Sequence, residues 1–272
     1  MNTVDVWMQH PTETFVKQPW LASLLRWMGV EEFPALPVDF TLAAMQAAGV
    51  GTGLCAAWCG PQGWLITHDD VKGFVAASGG RLKGIASANL YEPMQAVREL
   101  RRAVKEDGFI GLRVVPWLWN LPPDDRRYYP LFAECCELGI PFCTQIGHTG
   151  PLCPSEPGRP IPYLDHVCLE FPELVVVGGH VGYPWIEEVL SMARKYPNFY
   201  VDTSAYKVKR LPAPLVEFMR GRGRTKVMFG TNFPMIAPQA ALAGIEELGL
   251  DVEAAQLFLS DNARRVFKLN LP

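Results

Sequence analysis

The chain has 272 residues and a formal net charge of −3, from 25 Lys and Arg against 28 Asp and Glu. This balance leaves no basic face for nucleic acid or anionic lipid, so the expected partner is a small molecule. The N-terminus MNTVDVWMQH lacks the basic region and apolar run of a signal peptide. No apolar stretch approaches the roughly 20 residues of a membrane span. We therefore expect a cytoplasmic protein with neither a nucleic-acid partner nor a membrane partner.

Apolar residues make up 49% of the chain, which is enough for one substantial core, and no low-complexity linker divides it. We predict a single domain over residues 1–272. The seven cysteines are an odd number, stand mostly in apolar contexts and form no zinc-type Cys-x-x-Cys pairs. They are expected to be reduced packing residues.

Eight short runs rich in apolar and β-branched residues recur along the chain, and segments of helical periodicity separate most of them. In chain order the predicted strands are Thr3–Trp7, Val50–Ala57, Leu82–Leu90, Phe109–Val115, Ile140–Ile146, the run from Leu174 that delivers His180, Phe199–Asp202 and Val227–Gly230. The predicted helices include Trp20–Met28, Phe40–Ala48, Asp69–Ala77, Met94–Glu106, the pattern WIEEVLSMARKY and Asn262–Phe267. Eight such units predict an α/β fold, a distorted (β/α)₈ TIM barrel, with a doubly wound open sheet as the alternative.

In such a barrel, the loops after the carboxyl ends of the strands form the active site. His148 and His180 would lie at neighbouring strand ends, which are about 4.8 Å apart, and could share a metal ion, a water or a substrate oxygen. Other polar and aromatic residues expected at this end are Trp7, Gln9, Arg113, Trp117, Gln145, Asp202, Tyr206 and Asn232. The chain has no Gly-x-Gly-x-x-Gly or P-loop motif after a strand, so nucleotide binding is not supported.

Several of these residues leave alternatives open. Arg113 ends a buried run and needs an anionic partner, either Asp5 or a substrate carboxylate. Asp202 either orients a histidine or caps the turn that follows it. Trp117 and Tyr206 either wall an apolar pocket or pack in the core.

Four segments together resemble the amidohydrolase-related branch of the amidohydrolase superfamily, which includes aminocarboxymuconate-semialdehyde decarboxylase and pyrone-dicarboxylate lactonase. They are Val177–Gly182, Tyr196–Ser204, Phe229–Pro234 and Asp261–Arg265. The resemblance covers nearly the whole chain and implies a TIM barrel and a homodimer. It also implies zinc held by an Asp-x-His-x-His motif on the first strand, histidines on strands five and six, and an aspartate on strand eight.

This chain departs from that ligand set. Trp7 and Gln9 replace the first-strand histidines, and Asn232 replaces the strand-eight aspartate, so that only His148 and His180 remain. An indole cannot ligate zinc, and amide oxygens are poor zinc donors. The expectation is therefore no cofactor. The alternative is zinc on His148 and His180, with His10 as a third ligand.

The leading hypothesis at this stage is a hydrolase that opens a small carboxylated lactone, or a related cyclic ester or amide, without a full zinc site. Arg113 would hold the substrate carboxylate, His180 would act as general base and Asp202 would orient an imidazole. The developing negative charge on the carbonyl oxygen would be stabilised by Gln9, Gln145 and Asn232. One alternative is non-oxidative decarboxylation of an aromatic or enoic acid, with His148 or His180 supplying the proton. The other is a non-catalytic small-molecule-binding protein.

Overall fold

The computed structural model describes residues 2–270. Ten strands are formed within that range. They are β1 (Thr3–Met8), β2 (Val50–Ala56), β3 (Trp58–Gly60), β4 (Gly63–Ile66), β5 (Leu82–Ile85), β6 (Leu112–Val114), β7 (Phe142–Gln145), β8 (Val176–Gly179), β9 (Phe199–Asp202) and β10 (Val227–Met228). The β3–β4 pair is an antiparallel hairpin that the sequence did not predict.

The other eight strands form the barrel, and all their pairings are parallel. One sheet has the order β1-β2-β5, and the second has the order β10-β9-β8-β7-β6. Single parallel bridges from Met8 to Phe233 and from Ala86 to Leu112 join the two sheets at both edges. The ring is therefore closed, which confirms the predicted TIM barrel. The open doubly wound sheet is excluded.

Helices surround the ring and connect its strands. They are α1 (Glu13–Val16), α2 (Leu21–Met28), α3 (Val38–Ala47), α4 (His68–Ala77), α5 (Pro93–Lys105), α6 (Pro116–Trp119), α7 (Tyr129–Leu138), α8 (Tyr163–Glu170), α9 (Ile186–Lys195), α10 (Ala213–Arg220), α11 (Pro238–Leu242), α12 (Val252–Gln256) and α13 (Asn262–Val266). Helix α6 begins at Pro116, whose ring fixes a helical φ at the first position.

The strands are buried on both faces, as parallel strands are when helices cover the outside of the sheet. All six residues of β1 are buried. Five of the seven cysteines are buried, as expected of packing residues. Within the described range, no helix combines the length and apolar character needed to cross a bilayer.

Three expectations concern features that a single chain over residues 2–270 does not test. The predicted domain includes residues 1, 271 and 272, which lie outside the described part of the chain. The predicted homodimer depends on contacts with a second chain, and the predicted cytoplasmic location depends on the cell. All three remain predictions.

Candidate active site

A cavity of about 700 Å³ opens at the carboxyl end of the barrel strands. Its volume is in the range of pockets that enclose a drug-sized ligand. Five aromatic side chains that follow β1, β2 and β6 line the cavity, namely Phe15, Trp20, Trp27, Trp58 and Trp117. The indoles of Trp20 and Trp58 stack at 5.9 Å between ring centroids, and Trp117 meets Trp20 edge-on at 5.1 Å. Tyr206 lines the same cavity, so the predicted aromatic pocket is present.

The two histidines predicted to meet at the barrel mouth both line this cavity. His148 follows β7, and its Nδ1 lies 3.3 Å from the carbonyl oxygen of Tyr183. His180 follows β8, and its ring lies 4.8 Å from that of Trp7. Gly179 permits this arrangement, because a Cβ at that position would approach the Trp7 ring to 2.5 Å.

His180 is connected to Asp202 through Ser204. The Oγ of Ser204 lies 2.6 Å from His180 Nδ1 and also accepts a hydrogen bond from the main-chain N–H of His180 at 3.2 Å. The hydroxyl of Ser204 contacts Oδ1 of Asp202. This Oδ1 also accepts a hydrogen bond from the main-chain N–H of Ser204 at 2.9 Å. Asp202 therefore caps the turn and also reaches the imidazole indirectly. With the serine hydroxyl donating to Asp202, Nδ1 of His180 carries the hydrogen and Nε2 is free for a ligand.

Burial shifts the pKa values of both ionisable groups in this chain of contacts. Desolvation, the Arg113 cation and His148 lower the pKa of His180 to about 3. Desolvation raises the pKa of Asp202 to about 6, although hydrogen bonds from Ser204 oppose the shift. The imidazole is therefore neutral at pH 7, and the carboxyl group can accept a proton at mildly acidic pH.

Arg113 does not reach the cavity, which corrects its predicted role in holding a substrate carboxylate. Its side chain is 1% exposed, and the guanidinium carbon lies 3.8 Å from the centroid of the Trp7 ring. The guanidinium donates to the carbonyl oxygens of Met8 at 3.2 Å and Val6 at 3.1 Å. The carboxylate of Asp5 instead accepts from Thr231 and from the Trp7 N–H. Arg113 and Trp7 thus form a stacked layer beneath the cavity.

The two glutamines were predicted to donate hydrogen bonds to a substrate oxygen, but their amide hydrogens are already engaged. Nε2 of Gln9 donates to Asn232 Oδ1 at 3.2 Å and to the Phe233 carbonyl at 2.7 Å. Nε2 of Gln145 lies within 3.2 Å of three main-chain carbonyl oxygens. Both glutamine side chains line the cavity, but their N–H groups are not free to donate to a ligand. Asn232 accepts from Gln9 through Oδ1 and keeps its Nδ2 group for a ligand.

His10 is not placed to complete a metal site with His148 and His180. It is 2% exposed, and its ring packs edge-on against Phe74. Nδ1 lies 2.7 Å from Thr41 Oγ1, and Nε2 lies 2.7 Å from the Leu36 carbonyl oxygen. Both ring nitrogens of His10 therefore have partners within the protein, and His10 is not placed to be the predicted third metal ligand.

Two cations that the sequence analysis did not identify, Lys207 and Arg210, also line the cavity. They follow β9 in the segment YKVKR. The basic composition of this segment, directly after a barrel strand, was the available signal. Ser204 was missed as well, because its connecting role depends on the fold of the turn after Asp202.

Left-handed backbone is concentrated at this end of the barrel. His180, Val181, Ala205 and Asn232 have φ values of 72°, 65°, 65° and 64°. They follow β8, β9 and β10, and residues with a Cβ rarely adopt this conformation. Such strain persists where surrounding structure enforces it, and it is typical of functional sites.

A closed barrel with paired imidazoles in a cavity at its strand ends has the architecture of a barrel enzyme. The amidohydrolase family model matches residues 10–269, and the chain belongs to this family. Two curated relatives are γ-resorcylate decarboxylases. The one from Polaromonas sp. (strain JS666 / ATCC BAA-500) is 24% identical over 251 residues, covering 72% of this chain and 73% of the relative. The one from Rhodococcus jostii (strain RHA1) is 26% identical over 244 residues, covering 70% and 71%.

Solved structures share the fold. An uncharacterised TIM-barrel protein from Bordetella bronchiseptica has a TM-score of 0.85 at 23% identity, covering 98% of this chain and 99% of its own. A dihydroxybenzoic acid decarboxylase from Polaromonas sp. JS666, crystallised with manganese and 2-nitroresorcinol, has a TM-score of 0.74 at 21% identity, covering 100% and 98%.

These comparisons correct two expectations. The predicted lactone hydrolase is wrong, because the named relatives are decarboxylases. The expectation of no cofactor is contradicted by the manganese bound in the Polaromonas neighbour.

The donors in this chain nevertheless do not fit a usual metal site. No three His, Cys, Asp or Glu side chains within residues 2–270 are grouped so as to hold a metal ion. The Trp7 indole lies against His180, and the amide nitrogen of Gln9 is directed at Asn232 and Phe233. The zinc alternative, with ligands His148, His180 and His10, is incomplete because both ring nitrogens of His10 already have partners within the protein.

Proposed function

We propose that this protein is a carboxy-lyase that removes CO₂ from an aromatic acid without an oxidant. The observation that carries the proposal is the cavity, which is lined by the stacked indoles of Trp20 and Trp58 and also by His180. Tryptophan walls suit a planar aromatic ring. The decarboxylase names of the two curated relatives support the same reaction.

The reaction requires one proton at a defined atom. The bond between the ring carbon and the carboxylate breaks, CO₂ leaves, and the electron pair that remains on the ring carbon takes up the proton. The balanced change is therefore an aromatic carboxylate plus a proton giving the arene and CO₂. Placing the proton donor beside the ring carbon is the catalytic task.

In our proposal, Asp202, Ser204 and His180 deliver this proton as a relay. When Asp202 is protonated, it donates to Ser204 Oγ, the serine hydroxyl donates to His180 Nδ1, and Nε2 carries the hydrogen available to the cavity. As Nε2 protonates the ring carbon, Nδ1 takes the proton of Ser204, and Ser204 takes that of Asp202. The imidazole is neutral before and after the transfer, in agreement with the low pKa of His180. A proton from water then enters at Nε2, Nδ1 returns its proton to Ser204, and Ser204 returns its own to Asp202, which restores the starting state.

His148 and Asn232 are assigned to substrate orientation. Both line the cavity beside His180. His148 presents a ring nitrogen, and Asn232 presents an amide group whose Nδ2 makes no hydrogen bond within residues 2–270. Hydrogen bonds from these groups to the carboxylate or to a ring hydroxyl would fix the acid with its reacting carbon next to His180.

The test is CO₂ release from a panel of hydroxybenzoic acids that includes 2,6-dihydroxybenzoate, with and without added Mn²⁺. We expect His180→Asn to reduce the rate by about 100-fold or more, the usual contribution of a positioned proton donor. Thermal unfolding should show that this variant is folded. The matched control is His166→Asn, because His166 pairs with Asp124 at 3.0 Å on the surface and should leave the rate unchanged.

Two results would overturn the proposal. One is a His180→Asn variant that releases CO₂ at nearly the wild-type rate. The other is saturable binding of these acids by the wild-type protein without CO₂ release under any condition, which would indicate a binding protein instead.

A further inference from the structure

The loop after β9 carries two cations that line the cavity. Lys207 precedes the 3₁₀ turn Val208–Arg210, and the Arg210 N–H donates to the Lys207 carbonyl oxygen at 2.8 Å. Both side chains are exposed to solvent, and both line the cavity.

Within residues 2–270, neither cation has an ion-pair partner. In the described part of the chain, no carboxylate lies within ion-pair distance of Lys207 or Arg210. Lys209, in the same turn, differs in both respects: it is absent from the cavity wall and pairs with Glu247 at 2.9 Å. Unpaired cations facing a cavity favour an anionic ligand.

The position of this pair in the barrel constrains which part of the ligand it meets. β9 pairs directly with β8, the strand that delivers His180. The indoles of Trp58 and Trp117 follow β2 and β6, which lie across the ring from β9. A flat ring that fills the cavity would therefore have its face against tryptophan, its reacting carbon near His180, and a further substituent near Lys207 and Arg210.

We propose that Lys207 and Arg210 bind a second carboxylate of the substrate, so that the preferred substrate is an aromatic dicarboxylate. This inference rests on the proposed decarboxylase function. Cations on the departing carboxylate would stabilise the ground state, because that charge is lost as neutral CO₂ forms. Cations on a carboxylate that stays contribute equally before and during the reaction, and so position the ring without opposing bond cleavage. A cavity of about 700 Å³ has room for the additional group.

The test measures binding separately from turnover. Quenching of tryptophan fluorescence, which the cavity walls should report, is titrated with benzoate and with benzene-1,3-dicarboxylate at equal ionic strength. We expect the wild-type protein to bind the dicarboxylate about tenfold more tightly, as two partly exposed ion pairs allow. Arg210→Gln and Lys207→Gln should each reduce this preference about threefold, and the double variant should abolish it, with benzoate affinity unchanged. Arg210→Lys should retain part of it.

Lys209→Gln is the control, since it removes a cation from the same turn but not from the cavity wall. The proposal is overturned if the dicarboxylate does not bind, if wild-type protein binds both probes equally, if the double variant keeps the preference, or if Lys209→Gln loses it equally. His180→Asn should keep the preference while losing turnover. A preference for the dicarboxylate without decarboxylation of any acid would refute the enzymatic function and leave the anion site standing.

Discussion

Ser204 connects Asp202 to His180. Its Oγ accepts a hydrogen bond from the main-chain N–H of His180. The same Oγ lies between Oδ1 of Asp202 and Nδ1 of His180. Because the hydroxyl can donate in either direction, two neutral arrangements of the imidazole are possible, with the cavity-side hydrogen present in one and absent in the other. A proton on Asp202 determines which arrangement is populated.

Replacing Ser204 with alanine should therefore slow CO₂ release by about 100-fold, because His180 loses its connection to the proton on Asp202. The rate of the wild-type enzyme should fall as pH rises through about 6, where Asp202 loses its proton. The Ser204→Ala variant should lack that limb of the pH profile. Ser260→Ala is the control, since Ser260 is equally buried and its Oγ has no partner within residues 2–270. A variant with the wild-type pH profile would contradict the relay.

The loops after β8, β9 and β10 hold the left-handed residues described above. Each of these residues carries a side chain at a position that glycine would occupy without strain. The regular strands before them show no such conformations. The barrel therefore concentrates its backbone strain in the loops that carry His180, Ser204 and Asn232.

Ala205→Gly should relieve part of this strain and raise the free energy of unfolding by up to about 1 kcal/mol. Ala43→Gly should lower it by about 1 kcal/mol, because Ala43 is an exposed residue in the regular helix α3. Urea denaturation of both variants beside the wild-type protein makes the comparison. Equal losses of stability in the two variants would show that the conformation at Ala205 is not strained.

The sequence predicted the positions of the strands but not the directions of the side chains at their ends. The β-branched runs and their turn residues placed all eight barrel strands, and with them His148 and His180 at neighbouring ends. Sequence could not show the direction of a side chain at a strand end, so Arg113 was assigned to the cavity although it lies beneath Trp7. It also could not show that the amide hydrogens of Gln9 and Gln145 are used by nearby backbone. Nor could it show that Lys207 and Arg210 line the cavity while Lys209 does not.

Across the whole molecule, the barrel encloses two carboxyl groups close to one guanidinium. Burial raises the pKa of Asp5 to about 7 and that of Asp202 to about 6, against an ordinary value of 3.8. The folded state thus holds these protons more tightly than the unfolded state. Their contribution to stability is complete below about pH 4 and is lost as pH rises through the folded pKa values.

Asp5→Asn should therefore reduce the pH dependence of stability between pH 4 and pH 7. Each such group changes the free energy of unfolding by at most about 1.4 kcal/mol per pH unit. The amide should be accommodated, because its oxygen can still accept from the main-chain N–H groups of Trp7 and Thr231. Denaturation at pH 4.5, 6 and 8 gives the difference between variant and wild-type protein at each pH. A difference that does not change with pH would contradict the raised pKa of Asp5.

The segment between β1 and α3 contributes Phe15, Trp20, Leu24, Trp27 and Met28 to the cavity but no strand to the ring. The groups proposed to carry out the reaction lie instead on loops that leave the barrel at β8 and β9. Pocket shape and reaction chemistry are therefore encoded in separate stretches of the chain. Exchanging residues 11–37 between related barrels would change one part of the pocket wall and leave the proton relay unchanged. Enzymes descended from one ancestor could diverge in this way in the acids that they accept.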